Sequence, residues 1–156
     1  MEGVATAMGS DPKTAGAVIR RWFDEVWNQK KTDTIDELFP AHAIMWGVGR
    51  PEQSSRGAAE FKEFRQGLLS ACPDVKIVLD QVVQEGDTAF ARWTVTATHT
   101  GEGLGMPPTN RKLRIQGMSA CRVDDGKIVE GWNLWDQIGM ARQLGLLHGP
   151  AAELFR

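Results

Sequence analysis

The chain has 156 residues, a formal net charge of -2, 42% hydrophobic and 24% charged residues, and two cysteines. That is the size and composition of one globular domain rather than a disordered chain. The balanced charge argues against nucleic acid as a partner, two cysteines make no disulfide framework, and no apolar run approaches the ~20 residues of a membrane-spanning helix.

Residues 1–10 are small and polar and lack the basic-then-apolar order of a signal peptide, so they read as a flexible tail. Reduced thiols at Cys72 and Cys121 are the default, which places the chain in the cytoplasm. Asp11-Pro12 opens a first helix, with Asp11 as N-cap and Pro12 at the first helical position. Val18, Ile19, Trp22, Phe23, Val26 and Trp27 follow at spacings of three and four and form one apolar stripe. A short second helix runs from Thr32 or Asp33 to Phe39 and stops at Pro40. Ala41 to Trp46 is a short strand, Gly47 to Gly57 a polar loop, and Ala58 to Cys72 a third helix ended by Pro73.

Strands follow. Val75 to Gln84 alternates, Glu85-Gly86-Asp87 turns, and Thr88 to Thr100 sets Ala89, Ala91, Trp93, Val95 and Ala97 on one face. Phe90, Arg92, Thr94, Thr96 and Thr98 make the other, a Thr/Arg face open to solvent or to a second copy. Gly101 to Asn110 is a Gly/Pro loop, with Leu104 and Met106 suited either to cover a ligand or to pack on a partner subunit. Arg111 to Val123, the Asp124-Asp125-Gly126 turn and the strand through Trp135 come next, then a terminal helix from Gln137 to Leu146. Helices first and a meander after them predict an α+β domain over residues 11–146, with 147–156 as a C-terminal tail. Long curved strands with helices on one face would form a cone, a cystatin-like α+β barrel with a ligand in its mouth.

The segments Ile19 to Gln29, Gly86-Asp87 to Thr94, Thr98 to Gly101, Leu104 to Thr109, and Gly126 to Gln137 followed by Gln143-Leu144-Gly145 resemble the SnoaL-like polyketide cyclases. The resemblance spans roughly residues 15 to 146. It implies the nuclear-transport-factor-2-type cone, a curved antiparallel sheet with N-terminal helices, and homodimers. It also implies ring closure by intramolecular aldol condensation without a metal or an organic cofactor. In that chemistry an aspartate after a His-Trp pair on the last strand is the acid/base, and a glutamine and a histidine on the preceding strand hold the substrate. Here the His-Trp-Asp pattern falls on Gly131-Trp132-Asn133, and the Gln-x-His pattern on Gln116-Gly117-Met118. An amide at 133 is no base.

Asp136 is the remaining carboxylate of that run. It is either a general acid/base among Trp132 and Trp135 or the N-cap of the terminal helix. Strand alternation sets it and Asn133 on opposite faces. Asn133 either bonds a ligand carbonyl or is a buried, satisfied amide. Gln116 and Met118 share a strand face and are candidate ligand contacts. His99 reads as a ligand contact at the mouth or a structural hydrogen bond, and His42 precedes Trp46 with no metal-ligand spacing around it. There are six tryptophans and no tyrosine; Trp46, Trp93, Trp132 and Trp135 are candidates to line an aromatic pocket. Two readings follow. One is a cofactor-independent cyclase, isomerase or hydrolase on a polyketide-like or other carbonyl compound. The other is a non-catalytic small-molecule-binding or dimerising domain that has lost the acid/base pair. Both expect an apolar small-molecule ligand, no nucleic acid and no membrane.

Overall fold

The computed structural model describes residues 11–155, with Ala151 by its backbone alone, so the tail expected at 1–10 lies outside the described residues. Thr14 rather than Asp11 caps the first helix, α1 (Ala15–Arg21). Its hydroxyl accepts from the Ala17 N–H at 3.2 Å, while Asp11 accepts from the N–H of Lys13. The chain then continues without a break through a π-helical stretch, Trp22–Asn28. The Gln29 N–H reaches five residues back to the Asp24 carbonyl at 2.8 Å. Two side chains hold this wide end. Asn28 exchanges hydrogen bonds with both backbone groups of Ile77, each 2.8 Å. Arg65 is 4% exposed and donates to the Val26 carbonyl at 2.9 Å and to the Thr32 hydroxyl at 2.6 Å. Burial pulls its pKa down, while the carbonyl end of the helical stretch favours a cation there.

Next come α2 (Asp33–Leu38), β1 (Ile44–Trp46), β2 (Ser54–Arg56) and α3 (Gly57–Ala71). β2 replaces part of the expected loop: it pairs Ser55 with Met45 as a short polar edge, which protects the sheet from further pairing. The long strands are β3 (Lys76–Glu85), β4 (Thr88–Thr98), β5 (Lys112–Asp124) and β6 (Lys127–Trp135). Helix α4 (Gln137–Gln143) follows, and the expected tail contains a short helix, α5 (Pro150–Leu154).

One curved sheet results, in the order β2-β1-β6-β5-β4-β3. Every neighbour is antiparallel except β1 and β6, which run parallel. The α1 stripe and α3 pack on the face carrying Ala89, Ala91 and Trp93. Trp22, Phe39 and Phe61 interlock there, with ring centroids 4.9 to 5.9 Å apart. Such pairs contribute about 0.5–1.5 kcal/mol each beyond their buried area.

The opposite face carries Phe90, Arg92, Thr94 and Thr96 of β4 as expected, and the other strands add apolar residues to it. Val78, Val83, Phe90, Met118 and Leu134 are all more than half exposed on it, and Trp132 is 39% exposed. Alternation on β4 alone showed only Phe90 of these; the register of β3, β5 and β6 adds the others. Among the described residues no helix is long and apolar enough to cross a membrane.

Asn28→Leu strips both backbone groups of Ile77 of their partner. A loss of about 1–3 kcal/mol is expected in urea unfolding, with the m-value unchanged; an unchanged midpoint would show that the clamp contributes nothing.

Candidate functional site

Between the inner sheet face and the helices lies a cavity of about 150 Å³. The π-helical stretch contributes Trp22, Phe23 and Trp27, and α3 contributes Phe61, Phe64 and Leu68. The strands add Trp93, Ile115, Asn133 and Trp135, and Leu104 and Met140 close it from the 101–110 loop and α4. Among the described residues no Asp, Glu, His, Lys or Arg lines it. A space of this size takes about one aromatic ring.

Of the residues singled out from the sequence, Asn133, Trp93 and Trp135 face this cavity. Gln116 and Met118 do not. They point to the open sheet face, with Met118 62% exposed. The pairing with β4 sets their face: Gln116 stands opposite Thr94 and Met118 opposite Arg92, while Gly117 and Ser119 stand opposite the inner Trp93 and Ala91. A β-bulge in β6 then decides which of them neighbours Asn133. Asp124 pairs with Lys127 and Val123 with Ile128, yet Arg122 pairs with Glu130, so Val129 is an extra residue. An unbulged hairpin would have set Met118 beside Asn133. The bulge shifts the register by one and seats Ser119 there, and a one-residue shift moves every side chain to the other face. Trp132 and Trp46 also lie on the outer side, where the Trp46 indole donates to Glu130 at 3.0 Å. His42 is exposed in the turn before β1. His99 is fully buried but off the cavity. Its Nδ1 accepts from the Thr109 N–H and lies 3.0 Å from the Thr109 hydroxyl, which closes the neck of the 101–110 loop. Asp136 is the N-cap of α4, its Oδ1 accepting from the Gly139 N–H at 2.7 Å, and it is exposed.

Sequence reasoning missed Ser119. Trp93 Nε1 donates to Ser119 Oγ at 2.9 Å, Ser119 donates to Asn133 Oδ1 at 2.6 Å, and Asn133 Nδ2 donates to the Trp46 carbonyl at 2.9 Å. The chain of bonds crosses β4, β5, β6 and β1. Gly117 makes it possible, because a Cβ there would lie 2.3 Å from the Trp93 ring. At Gly131 a Cβ would lie 2.5 Å from Met45 Sδ. The thioether of Met45 therefore occupies the space that a histidine side chain at 131 would need. Among the described residues no group of three or more His, Cys, Asp or Glu converges as a metal site would require. Cys72 lines the cavity and Cys121 is buried in the sheet; both are unpaired. Burial pushes both thiols up, Cys121 to about 12.

Residues 17–144 match the family described as SnoaL-like polyketide cyclase. The aklanonic acid methyl ester cyclase DnrD of Streptomyces peucetius is 28% identical over 123 residues, 78% of this chain and 84% of that protein. The crystal structure of IdmH, a candidate polyketide cyclase from Streptomyces antibioticus, superposes with a TM-score of 0.71 at 30% identity, over 82% of this chain and 96% of that one. AclR of Streptomyces galilaeus, a candidate hydroxylase, superposes with a TM-score of 0.73 at 26% identity, over 88% and 89% of the two chains.

Asp136→Ala is expected to lower stability by about 1 kcal/mol, the usual worth of an N-cap, and to leave ligand uptake by the cavity unchanged. Urea unfolding beside a ligand titration checks both; unchanged stability with impaired uptake would make Asp136 a site residue rather than a cap.

Proposed function

This chain belongs to the SnoaL-like polyketide cyclase family, and from that premise we propose that it binds a neutral, ring-bearing carbonyl compound in the Asn133 cavity without carboxylate acid/base catalysis. The observation that carries this reading is the lining: aromatic and aliphatic throughout, with an amide where the family's resemblance calls for a carboxylate. Aldol-type closure needs a group that removes a proton from carbon, and an amide does not do so near neutral pH. An amide does hold a neutral carbonyl by hydrogen bonding, at no cost of burying a charge.

A polyketide-sized ligand exceeds the one-ring space. Its entry requires Leu104 to withdraw, which makes the 101–110 loop a lid. Residues 102–108 make no hydrogen bond among the described residues, so this segment is held by apolar contacts of Leu104 and Met106. Segments with so few bonds open at low cost.

The homodimer is part of the same proposal. Exposed apolar residues stand on each of the four neighbouring strands β3 to β6, with Arg92 among them, over a width of about 15 Å at the usual strand spacing. Patches of this kind mark interaction sites, and a second copy of the chain supplies an equal apolar face. Sedimentation of Met118→Glu/Leu134→Arg beside the parent chain checks it. The parent is expected as a dimer and the variant as a folded monomer; a monomeric parent would contradict the assignment.

Aklanonic acid methyl ester, the compound in the name of the relative, tests the binding reading. Saturable quenching of tryptophan fluorescence is expected, with no ring-closed isomer separable by chromatography. A closed isomer that forms in proportion to the chain and disappears in Asn133→Leu would contradict the reading and restore the cyclase.

A further inference from the structure

The 101–110 loop is fastened at its two ends in different ways. At the neck, hydrogen bonds converge on the fully buried His99. Its N–H donates to the Arg111 carbonyl at 3.0 Å, its carbonyl accepts from the Asn110 N–H at 2.8 Å, and its Nδ1 accepts from the Thr109 N–H at 3.3 Å. The two main-chain bonds extend the β4–β5 ladder past Thr98 and Lys112. The other end lies on α3. Ala71 is the last residue of that helix, so its carbonyl has no partner within it. It accepts instead from the N–H groups of Thr100, at 3.1 Å, and Gly101, at 3.0 Å.

From there the loop runs backbone against backbone along α3. A Cβ at Gly101 would overlap the Ser70 carbonyl oxygen, and one at Gly103 that of Gly67. Only glycine allows so close an approach, and Gly103 also holds a φ of +143°. This seam is one residue thick. Gly67 and Gly103 line a groove open to solvent, while the next residue of each segment, Leu68 and Leu104, lines the cavity. We infer that ligand enters the cavity through this seam, by residues 101–104 peeling off α3 while the His99 neck stays closed as the hinge. The inference rests on the reading that the cavity binds a neutral ligand. Peeling frees two N–H groups into water and withdraws one leucine side chain, and no side chain at 101 or 103 has to move. Opening at the neck would instead unbond a buried histidine and the end of the ladder, so the seam is the weaker fastening.

Amide hydrogen exchange of the ligand-free chain tests the hinge. The Gly101 N–H is expected to be protected about tenfold or more less than the Asn110 N–H, because the seam opens more often than the neck. Equal protection would mean that the whole loop opens together, and would overturn the hinge. Release of acetophenone, read from the line shapes of the ¹⁵N-labelled chain, tests the route in Gly103→Ala and Gly105→Ala. Both put a side chain at a positive φ, but a Cβ at Gly105 meets nothing within 4 Å. Gly103→Ala also wedges against α3, so it is expected to release acetophenone about fivefold or more faster than Gly105→Ala. It is expected to take the compound up faster as well, with the dissociation constant moving less than either rate. Equal release from the two variants, with saturable binding, would put the entrance elsewhere and overturn the route alone. If acetophenone does not saturate the parent chain, the binding reading falls and the entry route with it.

Discussion

The bond chain from Trp93 through Ser119 and Asn133 to the Trp46 carbonyl ties four strands together at one level of the sheet. The rest of the inner face depends on it. It keeps the Trp93 indole flat over Gly117, which shapes one wall of the cavity. It holds β1 beside β6 in the sheet's one parallel pairing. It also exists only because Val129 bulges out of β6: without that extra residue Met118 would stand beside Asn133, and the amide would have a thioether for a neighbour. Buried polar groups of this kind must be satisfied, and a satisfied chain of them fixes one arrangement of the core.

Much of the architecture was legible from residue patterns. The apolar stripe of α1, the alternation of β4 and the turns at Gly86 and Gly126 follow from periodicity and turn chemistry, and they led to an α+β sheet with helices on one face. What periodicity could not give was register. A bulge has no reliable signal in one sequence, and without it nothing sets Ser119 beside Asn133; Gln116 and Met118 came from the family pattern, and the pairing with β4 puts them on the outer face. The same gap concealed the apolar outer patch, because Val78, Met118 and Leu134 meet only once β3, β5 and β6 are aligned. The π-helical stretch was invisible for another reason: its cause lies far away in sequence, at Ile77 and Arg65. His99 and Asp136 each had two readings, and the geometry places both in structural hydrogen bonds, at a loop neck and at a helix N-terminus.

The chain shares the fold of its family, helices on one face of a curved sheet. At the centre, an amide stands where the resemblance leads one to expect a carboxylate, and the thioether of Met45 fills the space beside Gly131. A single reversion at either place would not rebuild an acid/base pair. A carboxylate at 133 would meet the Trp46 carbonyl on one side, and a histidine at 131 would displace Met45. Among the described residues the cavity lining carries no charged side chain, and Asn133 is its one amide.

The most direct test is a crystal structure of the chain with acetophenone bound. The account predicts the ketone inside the cavity, its oxygen within about 3 Å of Asn133 Nδ2, and no carboxylate oxygen at that distance. A ligand held by an Asp or Glu side chain, or seated outside the cavity, would contradict it.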